Sequence, residues 1–218
     1  INLDKESEDT WSPEKLAVYL TRKFNFTIGS PLEGKIRLAP LCDVDIDKSK
    51  WLLSTAAMVE GITKLISSNP QRDRDELVRK RNNIWGKTRK ILNTIPDNSV
   101  LRDLYLETKD DEIFNILNRY FTSVNKLLWN NAAPDSIINK TIGISALFDS
   151  LKLLLKKNRD IHDFDPYIEK IVDIAYSDNY FSLTGKGKTR LKRIMKYKLG
   201  LMEYSGLHED DKPYVNHV

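Results

Sequence analysis

The sequence predicts a mainly α protein: a compact multi-helix domain with one short extended segment near residues 33–41. Three observations lead there. Only 9 Gly and 8 Pro occur in 218 residues, apolar residues recur at three- and four-residue spacing through most long stretches, and the alternation that marks strands is rare. Hydrophobic residues make up 40% and charged residues 30% of the chain, a balance that suits a soluble folded domain and neither membrane spans nor disorder. A chain of this length buries a core without needing disulfides or metals.

The first helix is expected over about 12–24, where Ser12 caps, Pro13 sits where its missing N–H costs nothing, and Leu16, Val18, Tyr19 and Phe24 are apolar. Gly29, Pro31, Gly34 and Pro40 then punctuate a short alternation at Ile36 and Leu38, the least helical stretch. A helix over about 48–67 carries Trp51, Leu52, Ala56, Val59, Ile62, Leu65 and Ile66 and stops near Asn69-Pro70. Residues 71–95 read as one further helix. Its apolar stripe is Leu77, Ile84, Thr88, Ile91 and Ile95, flanked by Val78, Trp85 and Leu92, and Asp73, Asp75 and Glu76 favour its N-terminal dipole.

Two more helices are expected over 100–106 and 111–129; the aromatic stripe of the second reads as core rather than as a cofactor box. Pro134 precedes the most apolar helix, SIINKTIGISALFDSLKLLLKKN, expected to be the central element. A short helix follows Asp165-Pro166, and a loop then feeds the basic helix of YFSLTGKGKTRLKRIMKYKLGLM. The expected organisation is an N-terminal helix and docking segment (1–45) packed on a helical core (46–204), with a polar, mobile tail over 205–218.

Several chemistries lack their residues. Cys42 is the single cysteine, so no intrachain disulfide forms, and a reducing, cytoplasmic location is expected. No apolar run reaches membrane-spanning length, and no signal-peptide pattern opens the chain. His162, His208 and His217 are scattered without ligand spacing. The acidic run Asp43-Val44-Asp45-Ile46-Asp47 resembles the start of a calcium loop, but Lys48 and Ser54 stand where glycine and glutamate belong. No Gly-x-Ser-x-Gly elbow occurs. The chain is therefore expected to be non-enzymatic, with no cofactor and no metal.

The charge pattern says more. Net charge is only +4, yet residues 186–198 hold seven cations (Lys186, Lys188, Arg190, Lys192, Arg193, Lys196 and Lys198) and no acid. Residues 71–95 carry a further net +5, with Arg79, Lys80, Arg81, Lys87, Arg89 and Lys90 clustered. Gly187-Lys188-Thr189 matches the end of a phosphate-binding P-loop, but Ser182 occupies the first glycine position, and too little chain follows for a nucleotidase. What remains is a general anion site: amides at Gly185 and Gly187, a helix N-terminus, and Lys186, Lys188, Arg190, Lys192, Arg193 and Lys196 along the helix. Such a helix can lie along a nucleic-acid phosphate backbone, with the second cluster extending the surface. The alternative is a basic face that pairs with acidic neighbours, or that docks a protein partner.

The opening Ile1-Asn2, SPEKLAVYLTRKFN closely followed by SPLEGKIRL, KTIGISALFDSLKLLL after the aromatic-rich helix ending at Trp129, and YFSLTGKGKTRL together resemble the C-terminal helical region of DGQHR-domain proteins. That family includes the DndB-like proteins linked to DNA phosphorothioation. The resemblance implies a prokaryotic cytoplasmic protein tied to DNA modification, with DNA as a partner and its own N-terminal domain or DNA-modification proteins as further ones. The signature itself is absent: the single glutamine, Gln71, follows Pro70. Under this resemblance the chain is the helical part of a longer protein, and any activity belongs to the missing part.

Overall fold

The computed structural model describes residues 10–38, 53–80, 88–183 and 185–215. Eight α-helices occur among them: α1 (Pro13–Phe26), α2 (Thr55–Ile66), α3 (Pro70–Lys80), α4 (Arg102–Leu106), α5 (Asp110–Leu127), α6 (Thr141–Lys157), α7 (Asp165–Ile168) and α8 (Gly185–Lys198). The extended segment expected near 33–41 supplies β1 (Ile36–Arg37), which pairs in parallel with β2 (Leu53–Ser54), Ile36 opposite Leu53. Among the described residues this pair is the whole of the sheet. The fold is mainly α, as the spacing of apolar residues predicts.

Helix starts follow their capping chemistry. Ser12 Oγ accepts from the Lys15 amide ahead of Pro13, and Ser54 Oγ accepts from the Ala57 amide to begin α2. Helix α1 packs on α2, and α2 on α6, so the N-terminal helix shares one core with the rest. Phe24, Phe114, Tyr120, Phe121, Phe148 and Phe164 meet at ring distances of 4.5–6.0 Å in its centre. The α2–α6 contact needs Gly61: a Cβ there would stand 2.1 Å from the Phe148 ring. Helix α6, expected to be the central element, is flanked by α2 on one side and α8 on another.

Two expectations are corrected. Residues 71–95 are not one helix: α3 ends at Lys80, and Thr88 is extended (φ −122°, ψ 156°) where it caps a separate 3-10 helix, Arg89–Thr94. The described part of the expected tail is not mobile surface chain either. Two 3-10 helices, Tyr204–Gly206 and Glu209–Tyr214, bring Leu207, Asp211 and Val215 into buried positions. Cys42, the acidic run Asp43 to Asp47, Trp51, Trp85 and His217 lie outside the described residues.

Candidate functional site

Helix α8 forms where the basic helix is expected, and its neighbours decide what its cations can do. Gly185 is its first residue and exposed; Gly187 is buried, and a Cβ there would fall 1.9 Å from the Ser182 carbonyl oxygen. That glycine permits close packing of the first turn on residues 181–182, so its place in a solvent-facing anion cradle is corrected.

Four of the seven cations meet carboxylates. Arg193 Nε donates to Asp211 Oδ2 at 2.5 Å, and Tyr180 donates its phenol to the other oxygen at 2.5 Å. Asp211 is sealed from solvent. Burial alone would raise its pKa, but the bonds from Arg193 and Tyr180 hold the carboxyl below its ordinary value. Arg190 lies over the Tyr180 ring at 4.1 Å, donates to the Tyr180 carbonyl at 3.2 Å, and sits 3.8 Å from Asp210. Tyr214 stacks on Tyr180 at 4.0 Å. These two arginines therefore hold the C-terminal segment on α8. Lys192 pairs with Asp149 of α6, and Lys198 with Asp173 at 2.6 Å.

The second cluster does not form the expected surface. Arg89 is fully buried, with Nη2 2.8 Å and Nη1 2.5 Å from the two oxygens of Asp110 and a further bond to the Tyr105 carbonyl. The sequence counts Arg89 in a basic cluster that extends the cationic surface; as the first residue of the 3-10 helix it is instead buried. Arg79 is exposed and bonds Glu76 one turn back at 2.7 Å. Lys90 is exposed in a cleft shared with Asp103, Glu107 and Lys109, where the charge is mixed. Lys80 ends α3, while Arg81 and Lys87 lie outside the described residues. The 3-10 helix bearing Lys90 packs on α3 and α4, whereas α8 packs on α6.

Where the charges do gather is a groove between α6 and α8. The Lys192–Asp149 pair and the bond from Lys157 Nζ to the Gly200 carbonyl (3.3 Å) share one 43-residue offset, so the two helices run parallel. A cleft of about 220 Å³ is lined by Ala146, Asp149, Ser150, Lys152, Leu153, Lys192 and Lys196. A second, of about 510 Å³, is lined by Leu153, Lys156, Lys157, Gly200, Leu201, Met202 and Glu203. Leu153 borders both clefts, so they adjoin along the α6–α8 groove, and Leu201 and Met202 add apolar lining to the second.

Lysines from both helices line the clefts. Lys188, Lys192 and Lys196 repeat every four residues along α8, and Lys152 and Lys156 do so along α6. Three carboxylates moderate the charge. Asp149 lines the first cleft, Glu203 lines the second, and Glu60 of α2 lies within the fields of Lys188 and Lys192. Glu60 is held below the usual carboxylate range by its bond from Lys64, against the opposing effect of burial, and also by the fields of Lys64, Lys188 and Lys192.

Sequence reasoning singled out Lys188, Lys192 and Lys196 but missed Lys152, Lys156, Leu153, Leu201 and Met202. The signal for the first three of these was present: two lysines four apart, with a leucine between them, on an otherwise apolar helix. Lys186 is exposed at the first turn of α8. Among the described residues, no group of three or more His, Cys, Asp or Glu could hold a metal, and no helix is long and apolar enough to cross a membrane. Comparison with protein-family models, with curated proteins and with solved structures returns no match.

Proposed function

We propose that this chain is a helical protein-interaction domain whose α6–α8 groove receives an acidic partner segment. The observation behind the proposal is the groove's composition: Leu153, Leu201 and Met202 supply apolar lining that rewards apolar contact, and Lys152, Lys156 and Lys196 line the same clefts and reward negative charge. A phosphate backbone uses such lysines and has no use for such an apolar lining. The competing loss is also visible, because Arg89, Arg190 and Arg193 are committed to the fold's own groups.

The test compares three probes on the intact chain at low salt: a synthetic amphipathic helix of about four turns with leucines on one face and glutamates flanking them, a scrambled peptide of equal composition, and a DNA duplex of about 20 base pairs. The patterned peptide is expected to bind at least about tenfold tighter than the scrambled one and to lose that advantage in Leu153→Glu. Equal binding of the two peptides, or binding of the duplex alone, overturns the reading.

A second reading has its own support. The four-residue lysine repeats on two parallel helices form a charged stripe of the kind that tracks nucleic-acid phosphates, which also accords with the DNA-modification role implied by the resemblance to DGQHR-domain proteins. On that reading the domain is non-enzymatic and binds DNA through phosphates, with affinity that falls steeply as salt rises. Lys188→Glu/Lys196→Glu would then weaken duplex binding, whereas equal duplex binding by this variant and the unaltered chain would eliminate the reading.

A further inference from the structure

Resting on the proposal that the α6–α8 groove docks an acidic partner segment, we infer that Met202 is an oxidation site that regulates this docking. Hydrogen peroxide converts its thioether to the sulfoxide, and the groove then holds its partner less tightly.

The chain has three methionines, Met58, Met195 and Met202. Met58 on α2 and Met195 on α8 are both 0% exposed. Met202 is only partly buried, and it lines the open cleft of about 510 Å³ together with Leu153, Lys156, Lys157 and Leu201. Peroxide arrives through solvent, so access selects Met202 from the three.

The step is a two-electron oxygen transfer. The Sδ lone pair attacks one peroxide oxygen and the O–O bond breaks. The other oxygen leaves as hydroxide and takes up the proton of the transferred hydroxyl, so that sulfur is oxidised to the sulfoxide and the peroxide is reduced to water. A thiol-dependent sulfoxide reductase reverses the change.

Two contacts give this oxidation its effect on the groove. Met202 lies against Gly206, where a Cβ would stand 2.9 Å from Met202 Cγ and 3.2 Å from Sδ. An added oxygen therefore has little room on the Gly206 side and projects toward the cleft. There it replaces an apolar contact by a polar one. It also offers a strong acceptor to the lysines that line the same cleft, Lys156 and Lys157, in competition with the carboxylates of a docked partner.

The intact chain is treated with dilute hydrogen peroxide, digested and mapped by mass spectrometry. Met202 is expected to gain one oxygen at least about tenfold faster than Met58 or Met195. The oxidised chain is expected to bind the patterned leucine–glutamate peptide about three- to tenfold more weakly, the scale of one methionine side chain losing part of its apolar burial. In Met202→Leu, the ratio of affinities before and after peroxide is expected to stay near unity, whatever its starting value. Oxidation of Met58 or Met195 as fast as Met202, unchanged peptide binding once Met202 is oxidised, or an equal peroxide effect in Met202→Leu overturns this inference and leaves the docking proposal standing. Failure of the untreated chain to bind the peptide overturns both.

Discussion

Arg102 grips Asp73 with both terminal guanidinium nitrogens: Nη2 lies 3.1 Å from Oδ1, and Nη1 bonds Oδ2. The carboxylate is fully buried and also accepts from Ser67 Oγ at 2.6 Å, so the pair ties α3 to α4 and to the end of α2. Removing one partner leaves a charge without its counterpart in the interior. Arg102→Met or Asp73→Asn is expected to cost about 3–5 kcal/mol, and replacing both residues by apolar ones distinctly less than the sum. Urea unfolding of the three variants measures this. A cost below about 1 kcal/mol for either single change would show that the pair is not holding the helices.

Gly61 against Phe148 makes a second prediction with an unusual sign. Alanine normally stabilises a helix interior relative to glycine by about 1 kcal/mol. At Gly61 the added methyl meets the Phe148 ring at 2.1 Å, so Gly61→Ala is expected to destabilise by about 1–3 kcal/mol. Combining it with Phe148→Leu should recover part of that loss. Thermal unfolding of single and double variants decides the point.

Arg89 separates structural from surface cations. Its guanidinium is buried on Asp110, so Arg89→Leu is expected to lower stability by about 3–5 kcal/mol while leaving binding at the α6–α8 groove unchanged under conditions where the variant is folded. Lys196→Glu should do the opposite. Denaturation and peptide titration on the same two proteins check both halves.

Acid should loosen the C-terminal segment. Asp211 is held below its ordinary pKa by Arg193 and Tyr180 against the opposing effect of burial. A carboxyl lowered in the folded state contributes stability that is present above its unfolded value, about 3.9, and is lost as pH falls through the lowered folded value. Asp103, lowered chiefly by its bond from Arg159 after burial's opposing effect, acts in the same direction. The stability difference between the unaltered chain and Asp211→Asn is therefore expected to narrow as pH drops from about 6 toward about 3. Unfolding measured across that range tests it, and a difference constant with pH would refute the assignment.

Much of the fold was legible from local rules. Ser12-Pro13, the aromatic stripe of α5 and the apolar run of α6 each carry their secondary structure within a dozen residues. What escaped depended on distant partners. Arg89 belongs to a basic run, and only Asp110 and the Tyr105 carbonyl explain its burial. The 205–215 segment looks polar, but Asp211 is completed by Arg193 and Tyr180. A local hint was present there: His208 and Asp211 form a reciprocal capping pair. The groove was half legible, since its α8 wall stands out as a charge run and its α6 wall lies 43 residues earlier.

The parallel course of α6 and α8 also orders events in time. Neighbours that run in the same direction cannot be joined by a tight turn, so the chain from Asn158 to the start of α8 must travel back along the domain before the second wall can be laid down. Contacts closed over such a span form after local helices do. A chain that has formed α6 but not yet seated α8 has only one side of the groove. A ligand of the groove would therefore discriminate finished molecules from partly folded ones, rewarding only those that have completed the return.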